Sequence, residues 1–454
     1  MKVLAIDHFG GDGMLDWLMR CQADGHDVRW HFVKTDKTLN FGKGLVRHVS
    51  DWREWIRWAD IVVLADNTKY LREIDAWRRN EGIKVVGATA EAAAWELDRK
   101  TGQEVFKKAG IPVPPFREFN DYDAAIAYVK REDRAFVSKP SYDEADKSLS
   151  YVAKTPADLV YMLERWKKSK KLKGAFILQE KVAGCEMAVG GFFGPHGFNS
   201  GWCENWEFKS LMAGDRGPNV GEMGTVVRFI NKSKLADKVL RPLADRLHRL
   251  KYVGYVDVNC IIDDEGTPWP LEFTMRFGYP TFNIQQALIK GDHVEWLEAL
   301  ASGKDAKPFT TETIATGIVM ALPQFPYGRT PPEDVTGVPV YGLKNSTSTT
   351  LGKRQTVFVT PEPNIHLCEM MWGEAPMDQD GKVVTKPCLV TAGDYVLVAS
   401  GLGETVRQSR GAAYRILDRL KAPASPFWRP DIGQRLKEQI PLVQKHGYAA
   451  GMTF

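Results

Sequence analysis

Paired cysteines are missing from this sequence: its six (Cys21, Cys185, Cys203, Cys260, Cys368 and Cys388) lie far apart, with no Cys-x-x-Cys spacing. That excludes a small disulfide-stapled framework and points to reduced thiols in a cytoplasmic protein. Long apolar runs are missing as well. No stretch of about 18 apolar residues occurs, and the opening Met-Lys-Val-Leu-Ala-Ile lacks the extended apolar region of a signal peptide, so neither export nor a membrane span is expected. An excess of one charge is also lacking, because 61 basic residues stand against 57 acidic ones for a net +4, spread along the chain. A surface that coats duplex nucleic acid needs a strongly basic face, and this balance argues against one. The densest basic run, 167–173, follows an amphipathic stretch and reads as a solvated helix end. Internal repeats and low-complexity tracts are absent too.

What is present is an ordinary globular composition, 44% hydrophobic and 26% charged over 454 residues, long enough for three or four packed subdomains with a cleft between lobes. The run 2–7 is a short β-rich segment entering Phe9-Gly-Gly-Asp-Gly13, after which Met14, Leu15, Leu18 and Met19 fall at helical spacing. Strands at 60–65 and 83–87 alternate with helical segments such as 70–80, which implies a doubly wound parallel sheet in the first 95 residues. One helix is expected from 91 to 108, closed by Ala109-Gly-Ile-Pro-Val-Pro-Pro115. Alternating strands at 135–139, 150–152, 176–179 and 186–193 suit a small α+β lobe, and 226–230, 257–262 and 269–273 a larger antiparallel sheet. After about residue 307 the composition shifts toward Pro, Thr and Gly, with short strands and a helix at 404–420. The fold class is therefore α/β and α+β multidomain, divided as 1–95, 96–190, 191–310 and 311–454.

Two neighbouring motifs carry the strongest chemical signal, Gly254-Tyr-Val-Asp-Val-Asn259 and Leu271-Glu-Phe-Thr-Met-Arg-Phe-Gly278. Residues two apart on a strand share a face, so Asp257 goes with Asn259 and Glu272 with Thr274. Adjacent strands would bring Asp257 and Glu272 together as hard oxygen ligands for Mg²⁺. Arg276 then stands where it can stabilise charge on a transferred phosphoryl group. Taken alone, the same residues equally describe two solvent-facing acids and a surface arginine.

The ordered set of motifs is broader than that pair. Val86-Gly-Ala-Thr89, Gly110-Ile-Pro112, Val137-Ser-Lys139, Gln179-Glu-Lys-Val-Ala-Gly-Cys-Glu186, Asp215-Arg-Gly-Pro-Asn-Val-Gly-Glu-Met-Gly224 and Glu272-Phe-Thr-Met-Arg-Phe-Gly278 follow one another along the chain. In this order the sequence resembles the ATP-grasp superfamily, and within it phosphoribosylamine-glycine ligase, over nearly its whole length. The resemblance implies an ATP-grasp fold with an N-terminal pre-ATP-grasp α/β domain and a β-rich C-terminal domain. It implies ATP and Mg²⁺ (or Mn²⁺) as cofactors, and an ADP-forming reaction that makes an amide from a carboxylic acid and an amine through an acyl phosphate. By resemblance, Arg99, Lys100, Lys139 and Lys147 contact phosphates, Gln179, Glu180, Lys181 and Val182 present the hinge to adenine, and Glu186 holds the ribose. Asp257, Glu272 and Thr274 hold the metal. Lys209, Asn219 and Arg276 act on the reacting groups, while Asp215, Gly217, Pro218, Gly221, Gly278 and Tyr279 lie on the substrate side.

The sequence departs from that pattern at three places. The loop after Lys139 reads Ser141-Tyr-Asp-Glu-Ala-Asp-Lys-Ser148, without the glycines that free a backbone to wrap phosphates. Thr274 stands where the family has asparagine. Gly278-Tyr-Pro-Thr-Phe-Asn283 replaces Gly-Asp-Pro-Glu-Thr-Gln, exchanging two acids for an aromatic pair, Tyr279 and Phe282. These changes predict an altered substrate pair, with a nucleoside or nucleobase amine as one acceptor suited to stacking. The alternatives are an unaltered phosphoribosylamine-glycine ligase and a non-catalytic nucleotide-binding protein. A monomer or homodimer is expected.

Overall fold

In a computed structural model, the structure describes residues 1–8, 13–141, 150–169, 174–323, 325–327, 332–343, 346–351, 354–359 and 362–454, with 346–359 described by backbone alone. The glycine turn at 9–12, the loop 142–149 with Lys147, and the end of the basic run at 170–173 lie outside the described residues.

The N-terminal unit is a parallel sheet in the order Asp27–His31, Lys2–Ile6, Ile61–Leu64, Val85–Val86. Its strands are apolar on both faces because helices cover both, as parallel crossovers require. The helix Met14–Ala23 buries Leu15, Trp17 and Leu18 against one face, and Leu71–Glu81 buries Leu71 and Ile74 against the other. The single helix expected over 91–108 is two. Asp98 adopts an extended conformation after Ala90–Leu97, and its side chain accepts from the backbone N–H groups of Lys100 and Thr101 to start Arg99–Lys108. Capping the second helix at its own first turn is what breaks the run.

The small lobe is an antiparallel sheet ordered Phe116–Phe119, Phe176–Glu180, Phe136–Pro140, Tyr151–Val152. Helices Tyr122–Glu132 and Pro156–Ser169 pack on one face through Val129, Leu159, Leu163 and Trp166. The opposite face carries Lys139 and Gln179 toward the rest of the molecule.

The large sheet runs Pro268–Thr274, Gly254–Ile262, Cys185–Gly194, Trp202–Glu207, Gly224–Ile230, Ile314–Ala321, Tyr395–Gly403, Ile365–Leu367, every neighbouring pair antiparallel. The strand expected at 186–193 therefore belongs here and not to the small lobe, since its partners are Gly254–Ile262 and Trp202–Glu207. Strands from beyond residue 310 complete the same sheet, and the helix Val406–Arg419 covers it. Two glycines are among the contacts that tie the N-terminal unit to the rest of the chain. Gly87 accepts no side chain because it lies against Leu64 and donates its N–H to Val253. Gly13, in the left-handed region at φ +77, has Asn283 Oδ1 2.2 Å from where a Cβ would stand.

Candidate active site

Strand alternation sorts the large sheet's side chains into two sets. On Trp202–Glu207, Glu204 turns to the rear face, where it pairs with Arg228 at 2.6 Å and accepts from Ser233 at 2.7 Å, all three buried. Asn205 and Glu207 turn to the front. Asp257 and Asn259 join them from Gly254–Ile262, Glu272 and Thr274 from Pro268–Thr274, and Glu186 from Cys185–Gly194. The register refines the convergence expected of Asp257 and Glu272: Asp257 lies opposite Thr274, and Glu272 lies opposite Asn259. Gly190 makes the room beside Asp257, because a Cβ there would stand 2.0 Å from Tyr255 Oη and 2.6 Å from Asp257 Oδ2.

This front face and the small lobe enclose a cleft of about 410 Å³. From the small lobe, Lys139 donates to Gln179 Oε1 at 3.3 Å, which turns the amide so that Nε2, buried and without a hydrogen-bond partner among the described residues, remains as a donor. Desolvation, then the field of Arg99, pulls the Lys139 ammonium down to about 8. From the large sheet, Lys209 pairs with Glu186 at 2.8 Å, Glu207 at 3.0 Å and Glu272 at 3.4 Å. Burial opposes its charge, but those three carboxylates outweigh burial and hold it well above its ordinary value. Arg99 reaches Glu272 at 3.1 Å. Arg276 is positioned by Glu96 at 3.2 Å and by the Phe277 carbonyl at 3.0 Å.

A second group of acids adjoins the first. Asp257 is 4% exposed and its Oδ2 accepts from Asn205 Nδ2 at 2.8 Å and Tyr255 Oη at 2.9 Å. Desolvation, then the charge of Glu207, pushes its carboxyl up to about 7. Burial and Glu207 likewise raise Glu222, whose carboxylate is bonded by the Thr225 hydroxyl. Glu207 is raised too, by desolvation, although Lys209 counters it.

The structure brings Arg99, Lys139, Gln179, Glu180, Lys181, Val182, Glu186, Lys209, Asn219, Gly221, Gly278, Tyr279, Arg276, Asp257, Glu272 and Thr274 to the walls of this one cleft. Other residues proposed from sequence lie elsewhere. Lys100 is on the outer side of its helix, paired with Glu118 at 3.3 Å. Asp215 is held by Arg429 at 2.7 Å and Arg435 at 3.3 Å, and with Gly217 and Pro218 it lies in the hairpin of Ser210–Met212 against Arg216–Asn219, of which only the Asn219 end reaches the cleft wall. Phe282 does not pair with Tyr279 in the cleft. It is buried and stacked on Phe277 at 4.0 Å, filling core under the helix Thr281–Gln286. Sequence reasoning missed Glu96, Asn205, Glu207 and Glu222. Glu207 was legible as the residue two before Lys209 on a strand exit, and Glu222 lies inside the quoted motif 215–224, which gave it no role of its own.

The residues suit a magnesium–nucleotide. Among the described residues no three His, Cys, Asp or Glu side chains form a ready cage. Mg²⁺ needs fewer protein ligands, since it keeps waters and takes phosphate oxygens. Glu272 supplies one carboxylate, and Asn259 Oδ1, directly opposite, is buried without a hydrogen-bond partner among the described residues. Thr274, opposite Asp257 on the same face, adds a hydroxyl.

Two lobes, one antiparallel and small, the other a broad sheet with acids on its face, holding a lysine-and-carboxylate cleft between them, define the class: this is the ATP-grasp fold, that of ligases which use ATP with Mg²⁺ or Mn²⁺. Residues 98–282 match the family model for "Phosphoribosylglycinamide synthetase, ATP-grasp (A) domain". In particular, the chain is similar to phosphoribosylamine--glycine ligase. It is 26% identical to that of Halalkalibacterium halodurans over 370 residues, covering 79% of this chain and 78% of the relative. Against the Ralstonia nicotianae protein it is 26% identical over 369 residues, covering 79% and 80%. The crystal structure of phosphoribosylamine--glycine ligase from Thermotoga maritima superposes with a TM-score of 0.67 at 19% identity, covering 95% of this chain and 100% of that one. Biotin carboxylase from Campylobacter jejuni shares the fold at a TM-score of 0.62 and 12% identity, covering 98% and 97%. No helix among the described residues is long and apolar enough to cross a membrane.

Proposed function

We propose that the protein joins a small carboxylic acid to an amine, with a substrate pair that departs from that of its phosphoribosylamine--glycine ligase relatives. The observation that carries the reaction is the single cleft holding Lys139 and Gln179 from one lobe and Lys209, Glu272 and Arg276 from the other. The carboxylate of the acid attacks the terminal phosphate of ATP, giving an acyl phosphate and ADP. The amine nitrogen then attacks the acyl carbon, inorganic phosphate leaves, and the nitrogen gives up a proton. Lys139 and Arg99 offset triphosphate charge, and the Gln179 N–H points to the purine. Glu272 with Asn259 and Thr274 would hold the metal, which screens the phosphates during transfer. Arg276, fixed by Glu96, faces the oxygens on which charge grows. Lobe closure keeps water from the acyl phosphate.

Tyr279 in the cleft wall, with Thr281 beside it, supports the departure in substrates, because no acid stands at either place to take up an amino group. The coverage of the relatives favours a second reading, that the chain makes the same glycinamide product as they do. Calorimetry with a non-hydrolysable ATP analogue and Mg²⁺ tests the shared part. The native chain binds, and Glu272→Ala weakens binding by about tenfold or more. No binding to the native chain would refute a nucleotide-dependent ligase. Incubation with ATP, glycine and fresh phosphoribosylamine separates the two readings, since glycinamide product would establish the second.

A further inference from the structure

On the sheet side of the cleft lies a concentration of acceptors whose charge Lys209 offsets only in part. Lys209 is committed to Glu186, Glu207 and Glu272. Among the described residues neither Asp257 nor Glu222 has an ion-pair partner within 4.0 Å, yet both line the cleft and each feels the field of Glu207. A crowd of acids alone would have a bland account, as a solvated wall. Asn205 removes that account. It is 1% exposed and lines the same cleft, and its Nδ2 donates to Asp257 Oδ2 at 2.8 Å, which leaves Oδ1 turned away from that carboxylate. Its Oδ1 is therefore a buried acceptor with no hydrogen-bond partner among the described residues, a state that is disfavoured unless a donor arrives. Asn205, Glu222 and Asp257 come from three separate parts of the sheet and its preceding loop.

We propose that Asp257, Glu222 and Asn205 Oδ1 form a subsite on the cleft floor for a protonated primary amino group carried by one of the ligase's substrates. An alkylammonium has three N–H donors and no acceptor, which matches two carboxylates and one amide oxygen. The subsite replaces in chemistry the acids absent at Tyr279 and Thr281, from a different strand and a different loop. It rests on the ligase reading, and the amino group has two possible sources: the acid substrate, if it is an amino acid, or the amine substrate, if it is a diamine.

Calorimetry on the full chain with Mg²⁺ and the ATP analogue bound distinguishes them. Glycine and 1,4-diaminobutane are titrated, with N-acetylglycine and 1-butanol as counterparts lacking the ammonium. Binding of glycine but not N-acetylglycine assigns the subsite to the acid substrate, and binding of the diamine but not the alcohol assigns it to the amine. In either case Glu222→Gln weakens the ammonium ligand by about tenfold or more while leaving the affinity for the ATP analogue in place. Asp257→Asn, which keeps the side-chain volume, gives the same loss should the first variant fold poorly. The proposal is overturned if the native chain binds the ATP analogue but neither ammonium probe, or if both variants bind the probe as the native chain does. Failure of the native chain to bind the ATP analogue would instead remove the ligase reading itself.

Discussion

Lys139 shows how one side chain is set for a charged ligand. Its ammonium is buried among groups of mixed sign, and the desolvation that dominates lowers it to about 8. A triphosphate next to it would favour the charged form, so binding takes up a proton wherever Lys139 is partly neutral. The sign follows: affinity for the ATP analogue is full below about pH 8 and falls above it, by up to about tenfold per pH unit. Calorimetry across that window in buffers of different ionisation heat reads both the affinity and the proton uptake, and Lys139→Met removes the dependence. At this scale the sequence was partly legible. Lys139, Lys209 and Glu272 lie at strand ends in recognisable motifs, and strand alternation placed Asp257 with Asn259. Glu222 and Asn205 were not legible, since their role depends on which strands lie side by side, as was the diversion of Asp215 to Arg429 and Arg435.

Among the elements, the break at Asp98 has the clearest energetic content. The pattern from 90 to 108 is helical throughout, so periodicity cannot reveal the interruption. The aspartate both ends one helix and caps the next, accepting at 3.0 Å and 3.1 Å from Lys100 and Thr101. Asp98→Ala costs about 1 kcal/mol of stability, read as a lower denaturant midpoint. Because Glu96 and Arg99 flank the break and reach Arg276 and Glu272, the same change also weakens binding of the ATP analogue. A variant with native stability and native affinity would show that the cap is dispensable. The strand Asp27–His31 escaped sequence reading because its alternation is masked by charge: Arg29 is buried over Trp55 and Trp58 at 5.1 and 4.6 Å. Phe282 was misplaced for a related reason, since an aromatic residue beside a cleft motif looks the same whether it faces ligand or core.

For the whole molecule, the decisive feature is that the large sheet crosses residue 310. Ile314–Ala321 pairs along Gly224–Ile230, and Tyr395–Gly403 pairs along Ile314–Ala321. A chain ending at residue 310 would leave Gly224–Ile230 as a bare, apolar edge. It would also remove Arg429, which is 1% exposed and bonds the Ser210 carbonyl at 2.9 Å behind the Lys209 strand exit. Such a truncation aggregates on expression, and size-exclusion chromatography that found a soluble, nucleotide-binding monomer would contradict it.

The strand Trp202–Glu207 serves two chemistries on opposite faces: Glu204 locks Arg228 and Ser233 behind the sheet, while Asn205 and Glu207 meet the cleft in front. Gain or loss of a single residue there would exchange the faces, sending the locking acid into the cleft and a cleft residue into the rear core. Replacement at fixed length therefore keeps both faces in place, whereas an insertion or deletion that is not absorbed as a bulge loses the rear lock and the cleft face together.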